Sequence, residues 1–284
     1  MSLDRIHTAG IVGAGTMGQG IAQVCALSGF QVLLHDIQED FISKGINAIE
    51  KNLQTGIEKK KITVQQKQEC LQKIKACTAL TALKADLIIE AALENLDIKR
   101  KIFLQLEEVN APECILTTNT SSIPVTQIGF VLKKPDRFAG LHFFNPANIM
   151  KLVEVVKGNQ TSDEVAKTIY DLCLQMNKTP VMCKDAPGFI VNRVARHYYL
   201  EAMKLVENGI ATFENVDEIM EAIGFKMGPF RLMDLIGMDV NLAVSQSLYD
   251  ASNKAERFKP SPIQIDKVAK GELGKKTGKG FYNY

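Results

Sequence analysis

Short apolar runs that end in glycine or a polar residue alternate along the first two thirds of the chain with longer stretches of helical spacing. Ile6 to Val12, apolar at Ile6, Ala9, Ile11 and Val12, predicts a strand that enters Gly13-Ala-Gly-Thr-Met-Gly18. Ile21, Ala22, Val24, Cys25, Ala26 and Leu27 predict a buried helix that Ser28-Gly29 stops. Gln31 to His35 reads as a second strand, and residues 39–60 and 64–75 as two long polar-rich helices broken near Ile62-Thr63. Asp86 to Glu90 is an apolar strand, followed by Ala91-Ala-Leu-Glu-Asn95 and a helix from Asp97 to about Val109. Cys114 to Thr117 is a strand that runs into Thr118-Asn-Thr-Ser-Ser122. Arg137 to Phe144 and Leu152 to Val156 supply two more, and a helix over 162–176 and a strand from Thr179 to Cys183 close this part.

Strands and helices alternating at these spacings predict an α/β fold, a doubly wound and mainly parallel sheet with a long helical hairpin. Lys184-Asp-Ala-Pro-Gly188 is a breaker cluster, which places a boundary between a domain of residues 1–185 and one of residues 186–284. Beyond it only helical patterns follow, at about 188–208, 214–223, 230–250 and 262–270, so the second domain is expected to be all-α. In such a sheet ligands gather beyond the carboxyl ends of the strands, where Asn95, Ser121 and His142 fall.

Composition narrows the function classes. The 284 residues carry 34 Lys and Arg against 32 Asp and Glu, a net charge of +2, so nothing global attracts nucleic acid or an anionic membrane. The balance also holds locally, with 21 basic and 20 acidic residues before Pro187 and 13 and 12 from there on. Six cysteines form no C-x-x-C pair and four histidines no H-x₃₋₅-H pattern, so no metal site is expected. The start, Met1 to His7, shows no apolar stretch of signal-peptide kind, and no segment reaches the length of a membrane span. Free thiols then fit a reducing cytoplasm.

The glycine turn carries specific chemistry. Strand, G-x-G-x-x-G, helix, strand and an acid, Asp36, 23 residues after Gly13, form the Rossmann-like dinucleotide pattern. Gly13 permits the tight turn, Gly15 lets backbone approach a pyrophosphate, and Gly18 lets helix and strand pack closely. The pyrophosphate would sit at the helix N-terminus, where N–H groups and the dipole favour an anion. Asp36 would accept the adenine-ribose hydroxyls and repel a 2′-phosphate, which favours NAD over NADP; a protonated His35 beside it would tolerate that phosphate. Lys59-Lys60-Lys61 reads either as a solvated helix terminus or as a phosphate clamp for a large substrate.

Three motifs carry a resemblance. Gly13-Ala-Gly-Thr-Met-Gly18, Leu141-His-Phe-Phe-Asn-Pro146 with Met150-Lys-Leu-Val-Glu154, and Pro187-Gly-Phe-Ile-Val-Asn-Arg193 together resemble the L-3-hydroxyacyl-CoA dehydrogenases, most nearly the short-chain 3-hydroxybutyryl-CoA dehydrogenases. Met227-Gly-Pro-Phe230 and Leu273 to Tyr282 are similar to that family too, and the likeness covers essentially the whole chain. It implies reversible oxidation of the 3-hydroxyl of an acyl-CoA thioester, with hydride going to NAD. That reaction needs a base working near neutral pH. The resemblance assigns this role to His142, with Glu154 fixing the imidazole tautomer as the third member of a catalytic triad does.

By the same resemblance Ser121 and Asn192 hydrogen-bond the reacting oxygen, in a cleft between the domains that closure would complete. Thr16, Met17, Glu94, Lys99, Asn119, Ser121 and Asn145 join Gly13, Gly15, Gly18 and Asp36 at the cofactor, and Lys51 and Lys59 hold coenzyme A. Each has a plainer reading from the residues alone. Ser121 is a helix cap before Ile123-Pro124. Asn192 stabilises a turn, and Asn145 forms one before Pro146. Glu94 and Lys99 are capping chemistry and a solvated helix face. A homodimer through the helical domain is the expected assembly. Two other functions share the architecture: a dehydrogenase of a free hydroxy or sugar acid, and a non-catalytic NAD(H)-binding relative. The lysines of the hairpin speak against the first, and Ser121, His142, Glu154 and Asn192 together against the second.

Overall fold

A computed structural model describes residues 5–284; the first four residues of the stretch read for a signal peptide lie outside them. The chain divides into two compact units, one ending at Ala186 and one running from Pro187 to Tyr284.

The first unit is built on an eight-stranded sheet. In chain order its elements are β1 (Thr8–Val12), α1 (Thr16–Leu27), β2 (Gln31–His35), α2 (Glu39–Glu58), α3 (Val64–Lys73), β3 (Ile74–Cys77), β4 (Leu87–Glu90) and α4 (Leu96–Val109). Then come β5 (Ile115–Thr118), α5 (Val125–Gly129), β6 (Phe138–Phe143), β7 (Leu152–Lys157), α6 (Asp163–Gln175) and β8 (Thr179–Lys184). The strand order is β3-β2-β1-β4-β5-β6-β7-β8, parallel from β3 to β6. β7 runs antiparallel to β6, and β8 parallel to β7. The order reverses beside β1, whose neighbours are β2 and β4, and such a switch point opens a crevice at the strands' carboxyl ends.

The strands β4, β5 and β6 are buried on both faces, which is why they read as continuous apolar runs rather than alternating ones. On α2 the buried residues Ile42, Gly45, Ile49 and Leu53 recur every three or four positions, a single stripe facing the sheet. Thr63 and Gln66 form a reciprocal capping box that starts α3.

Two elements differ from the sequence expectation. The second hairpin helix ends at Lys73 rather than at residue 75, because Ile74 turns to extended backbone and opens β3. This four-residue edge strand pairs with β2 from Val32 opposite Ile74 onward, burying only its end residues Ile74 and Cys77. In the second unit the stretch 230–250 is not one helix: Gly237, at φ 103°, separates α9 (Pro229–Ile236) from α10 (Met238–Ala251).

The rest of the second unit comprises α7 (Val191–Glu207), α8 (Phe213–Ala222) and α11 (Pro262–Ala269). Tyr199, Met203, Val216, Phe230, Met233 and Met238 form its core. Residues 271–284, which show no element in the sequence pattern, fold back as a clasp. Buried Asp234 accepts the N–H groups of Phe281 and Tyr282 (3.0 and 2.9 Å), and buried Asp217 accepts the Tyr282 hydroxyl (2.8 Å). Burial pushes the Asp217 carboxyl up, against those hydrogen bonds. Among the described residues no helix is long and apolar enough to cross a membrane.

Candidate active site

The glycine turn between β1 and α1 is held from two sides. A Cβ on Gly13, at φ 100°, would stand 2.6 Å from the Ala91 carbonyl oxygen, and one on Gly18 would stand 1.7 Å from that of Gly13. Gly15 differs: a Cβ there would meet nothing within 4 Å. Gly15 is also the N-cap of α1, and that helix end has neither a side-chain cap nor an acid in its first turn, where Thr16 and Met17 lie. An anion is therefore the natural partner of its N–H groups.

A cavity of about 830 Å³ opens in front of the turn, lined by Gly13, Ala14, Gly15, Asp36, Ile98 and Ile102 among others. Asp36, just past β2, accepts the N–H of Ala14 at 2.7 Å and that of Ile37 at 2.8 Å, so it ties the turn to the second strand. A narrow glycine cradle, an uncapped helix start and a carboxylate on an otherwise largely apolar cavity suit a dinucleotide. His35 also lines this cavity; it is buried, with Nδ1 2.7 Å from the Cys77 carbonyl oxygen at the β2–β3 edge.

The second group of residues sits at the ends of β4, β5 and β6. His142 and Glu154 are direct partners in the antiparallel register of β6 and β7. Their side chains share one face, as cross-strand neighbours do, with Nδ1 of His142 2.7 Å from Oε2 of Glu154. Both are buried, at 5% and 1% exposure. A carboxylate at Nδ1 places the ring hydrogen there and leaves Nε2 as the basic nitrogen. The ring of Phe144 lies 4.5 Å from that of His142.

Asn119 locks the neighbouring strand ends together, its N–H donating to the Glu90 carbonyl oxygen (2.7 Å) and its Oδ1 accepting from the N–H of Phe143 (2.8 Å). Ser121 follows in the loop after β5; the N-cap of α5 is Pro124, with no side-chain cap, and the Thr120 hydroxyl accepts from the N–H of Ile123 within the loop at 3.0 Å. Glu94 gathers that loop, accepting from Thr120 Oγ1 (2.6 Å) and from the N–H groups of Ser121 (3.0 Å) and Ser122 (3.2 Å). Burial pushes the Glu94 carboxyl up, but Lys99 and these hydrogen bonds outweigh it and hold the group below the usual carboxylate range.

Lys99 is not on a solvated face. It is 1% exposed, and Nζ lies 2.7 and 2.9 Å from the two oxygens of buried Glu90 and 3.3 Å from Glu94 Oε2. Nor does Glu94 cap α4; Asn95 does, accepting from the N–H of Ile98 at 3.1 Å. Glu90 and Thr118, whose hydroxyl donates to Glu90 Oε2 at 2.7 Å, escape sequence reasoning, although an acid ending an otherwise apolar strand is a usable signal.

Asn145 is exposed in the connection between β6 and β7. Lys51 and Lys59 are exposed on α2 and at its end, 8 positions apart. Asn192 is the second residue of α7, in the second unit.

Comparison with known proteins bears on the whole chain. Residues 8–186 match the NAD binding domain of 3-hydroxyacyl-CoA dehydrogenase, and residues 188–284 match the C-terminal domain of 3-hydroxyacyl-CoA dehydrogenase. A 3-hydroxyadipyl-CoA dehydrogenase of Escherichia coli is 47% identical over 99% of this chain, which spans only 59% of that protein's length. A probable 3-hydroxybutyryl-CoA dehydrogenase of Deinococcus radiodurans is 42% identical, covering 97% of this chain and 99% of its own. The crystal structure of an (S)-3-hydroxybutyryl-CoA dehydrogenase from Ralstonia eutropha superposes with a TM-score of 0.94 at 41% identity, over 98% of this chain and 99% of that one. With both family domains matched, over residues 8–186 and 188–284, this chain belongs to the 3-hydroxyacyl-CoA dehydrogenase family.

Proposed function

We propose that the protein catalyses reversible, NAD-dependent oxidation of (S)-3-hydroxyacyl-CoA thioesters of short chain to 3-ketoacyl-CoA, with His142 as general base. The observation that carries this reading is the buried His142–Glu154 pair, 2.7 Å apart across β6 and β7. NAD, held by Gly13, Gly15, Gly18 and Asp36, would supply the acceptor for the hydride released when the C3–H bond of the substrate breaks. As that C–H bond breaks and the carbonyl forms, the 3-hydroxyl releases a proton, which passes to Nε2 of His142. Glu154 keeps the imidazole in the tautomer that can accept it. In the reverse direction the same nitrogen returns the proton to the alkoxide oxygen. Ser121 donates a hydrogen bond to that oxygen, which steadies the charge that develops on it.

The preference for a thioester over a free acid is supported by the names of the relatives, which act on CoA esters, and by Lys51 and Lys59, exposed on the hairpin and suited to coenzyme A phosphates. The helical second unit is assigned the homodimer contact. Substitution tests the central role. His142→Gln is expected to lower turnover of acetoacetyl-CoA with NADH by roughly 10²–10⁴, the usual contribution of a general base, with NADH affinity retained. An unchanged rate removes His142 from the chemistry.

A further inference from the structure

We propose that Arg196 pairs with a carboxylate at the far end of the acyl chain, so that the preferred substrates are short acyl-CoA thioesters ending in a second carboxyl group. This rests on the proposed reaction and on the reading of Asn192 as a donor to the reacting oxygen.

Arg196 stands on α7 at 3% exposure, yet among the described residues no carboxylate is paired with it. Taking an unpaired guanidinium out of water is costly. Burial pulls the group down to about 10, with only Tyr199 pulling it back, so it still carries its charge at neutral pH. Lys99 and Arg137 are buried to a similar degree, and each faces a glutamate. Arg196 is half of such a pair, and a substrate carboxylate supplies the other half.

The guanidinium is fixed from one side. Nη1 lies 3.0 Å from the Asn241 carbonyl oxygen, from Asn241 Oδ1 and from Ser245 Oγ, all on α10. Gln264 of α11 braces the same two side chains, its Nε2 lying 2.5 Å from Asn241 Oδ1 and 3.0 Å from Ser245 Oγ. The guanidinium carbon sits 5.2 Å from the centre of the Tyr199 ring. All the hydrogen bonds of Arg196 leave from Nη1, and Nε is buried without a partner. The edge formed by Nε and Nη2 is therefore the uncommitted one, and a guanidinium edge grips a carboxylate with two parallel bonds.

Its position suits the far end of a short chain. Asn192 precedes Arg196 by four positions on α7, so the two share a helix face about 6 Å apart along the axis. A few methylene groups span that distance. One helix then reads both ends of the acyl group, the oxygen at C3 through Asn192 and the distal carboxylate through Arg196. A chain ending in a methyl group leaves the buried charge unpaired, which is the source of discrimination.

The test compares kcat/KM for reduction by NADH of two thioesters of equal length, 3-ketoadipyl-CoA, which ends in a carboxylate, and 3-ketohexanoyl-CoA, which ends in a methyl group. Acetoacetyl-CoA serves as reference. The wild-type enzyme should favour the carboxylate-ended substrate by about 10- to 100-fold, the worth of a hydrogen bond to a charged group, and chiefly through KM. Arg196→Met should bring that ratio close to one, and Arg196→Lys, which keeps the charge but not the fork, should leave it in between. Equal kcat/KM for the two substrates in the wild type, or an Arg196→Met enzyme that loses both in the same proportion, would overturn the proposal. Turnover of acetoacetyl-CoA without any preference between the longer pair overturns it while the reaction stands; no turnover of any of the three defeats the reaction as well.

Discussion

Lys99 and Glu90 place two opposite charges almost entirely out of water, the lysine at 1% exposure and the glutamate at none. Taking both from solvent is costly, and their attraction recovers that cost only with good geometry and further hydrogen bonds, which Thr118 and Ala92 supply. Removing one member leaves the other stranded. Lys99→Met should therefore lower the unfolding free energy by about 3–5 kcal/mol in urea denaturation. A change under about 1 kcal/mol would show that Glu90 finds other compensation. Sequence reading had access to Lys99 only through the family motif, and from spacing alone it looked like a solvated helix face. Its true partner is nine residues back, at the end of a strand, and a helical wheel cannot show that. His142 and Glu154 illustrate the opposite case. Twelve residues apart, they meet because a connection folds the second strand back in antiparallel register, and that pairing is implicit in two short apolar runs joined by an Asn-Pro turn.

Among the elements, the glycine turn and its helix were the most legible, since each glycine answers a separate steric demand. Gly18 is a packing residue and Gly15 a clearance residue, and substitution can separate them. Gly18→Ala forces its Cβ into the Gly13 carbonyl, so it should lower stability by about 1–3 kcal/mol and weaken NADH binding as well. Gly15→Ala has open space around its Cβ, so the fold should stay stable while NADH affinity falls, because the methyl group enters the path of the pyrophosphate. Thermal denaturation with NADH titration separates the two, and equal stability losses would refute the distinction. Other elements were hidden for physical reasons. β3 has only four residues and follows a capped helix with neither glycine nor proline between, so helical periodicity runs into it. The break at Gly237 was hidden because helical spacing resumes on either side. Only the left-handed backbone there shows that a single glycine separates two helices.

At the scale of the whole molecule, a nearly neutral chain conceals local use of charge. Charges are concentrated where they hold backbone: Asp36 on the glycine turn, Glu94 on the Ser121 loop, Asp217 at the start of α9 and Asp234 on the carboxyl-terminal clasp. The clasp was illegible from the sequence because it has no periodic pattern. Its stability comes from two buried carboxylates and from glycines at 274 and 280, where a Cβ would meet Asp234 at 2.3 and 2.0 Å. The sheet, apart from its edge strand β3, is legible in the sequence, and most plainly at β4, β5 and β6, because parallel strands buried on both faces must be apolar throughout.

The proposed activity stands on turnover of a 3-ketoacyl thioester with NADH, followed as NADH absorbance on addition of acetoacetyl-CoA with free acetoacetate and NADPH run alongside. Rapid oxidation of NADH is expected with the thioester, and far slower reaction with the free acid or with NADPH. Tight NADH binding without turnover of the thioester, or equal rates with free acetoacetate, would contradict it.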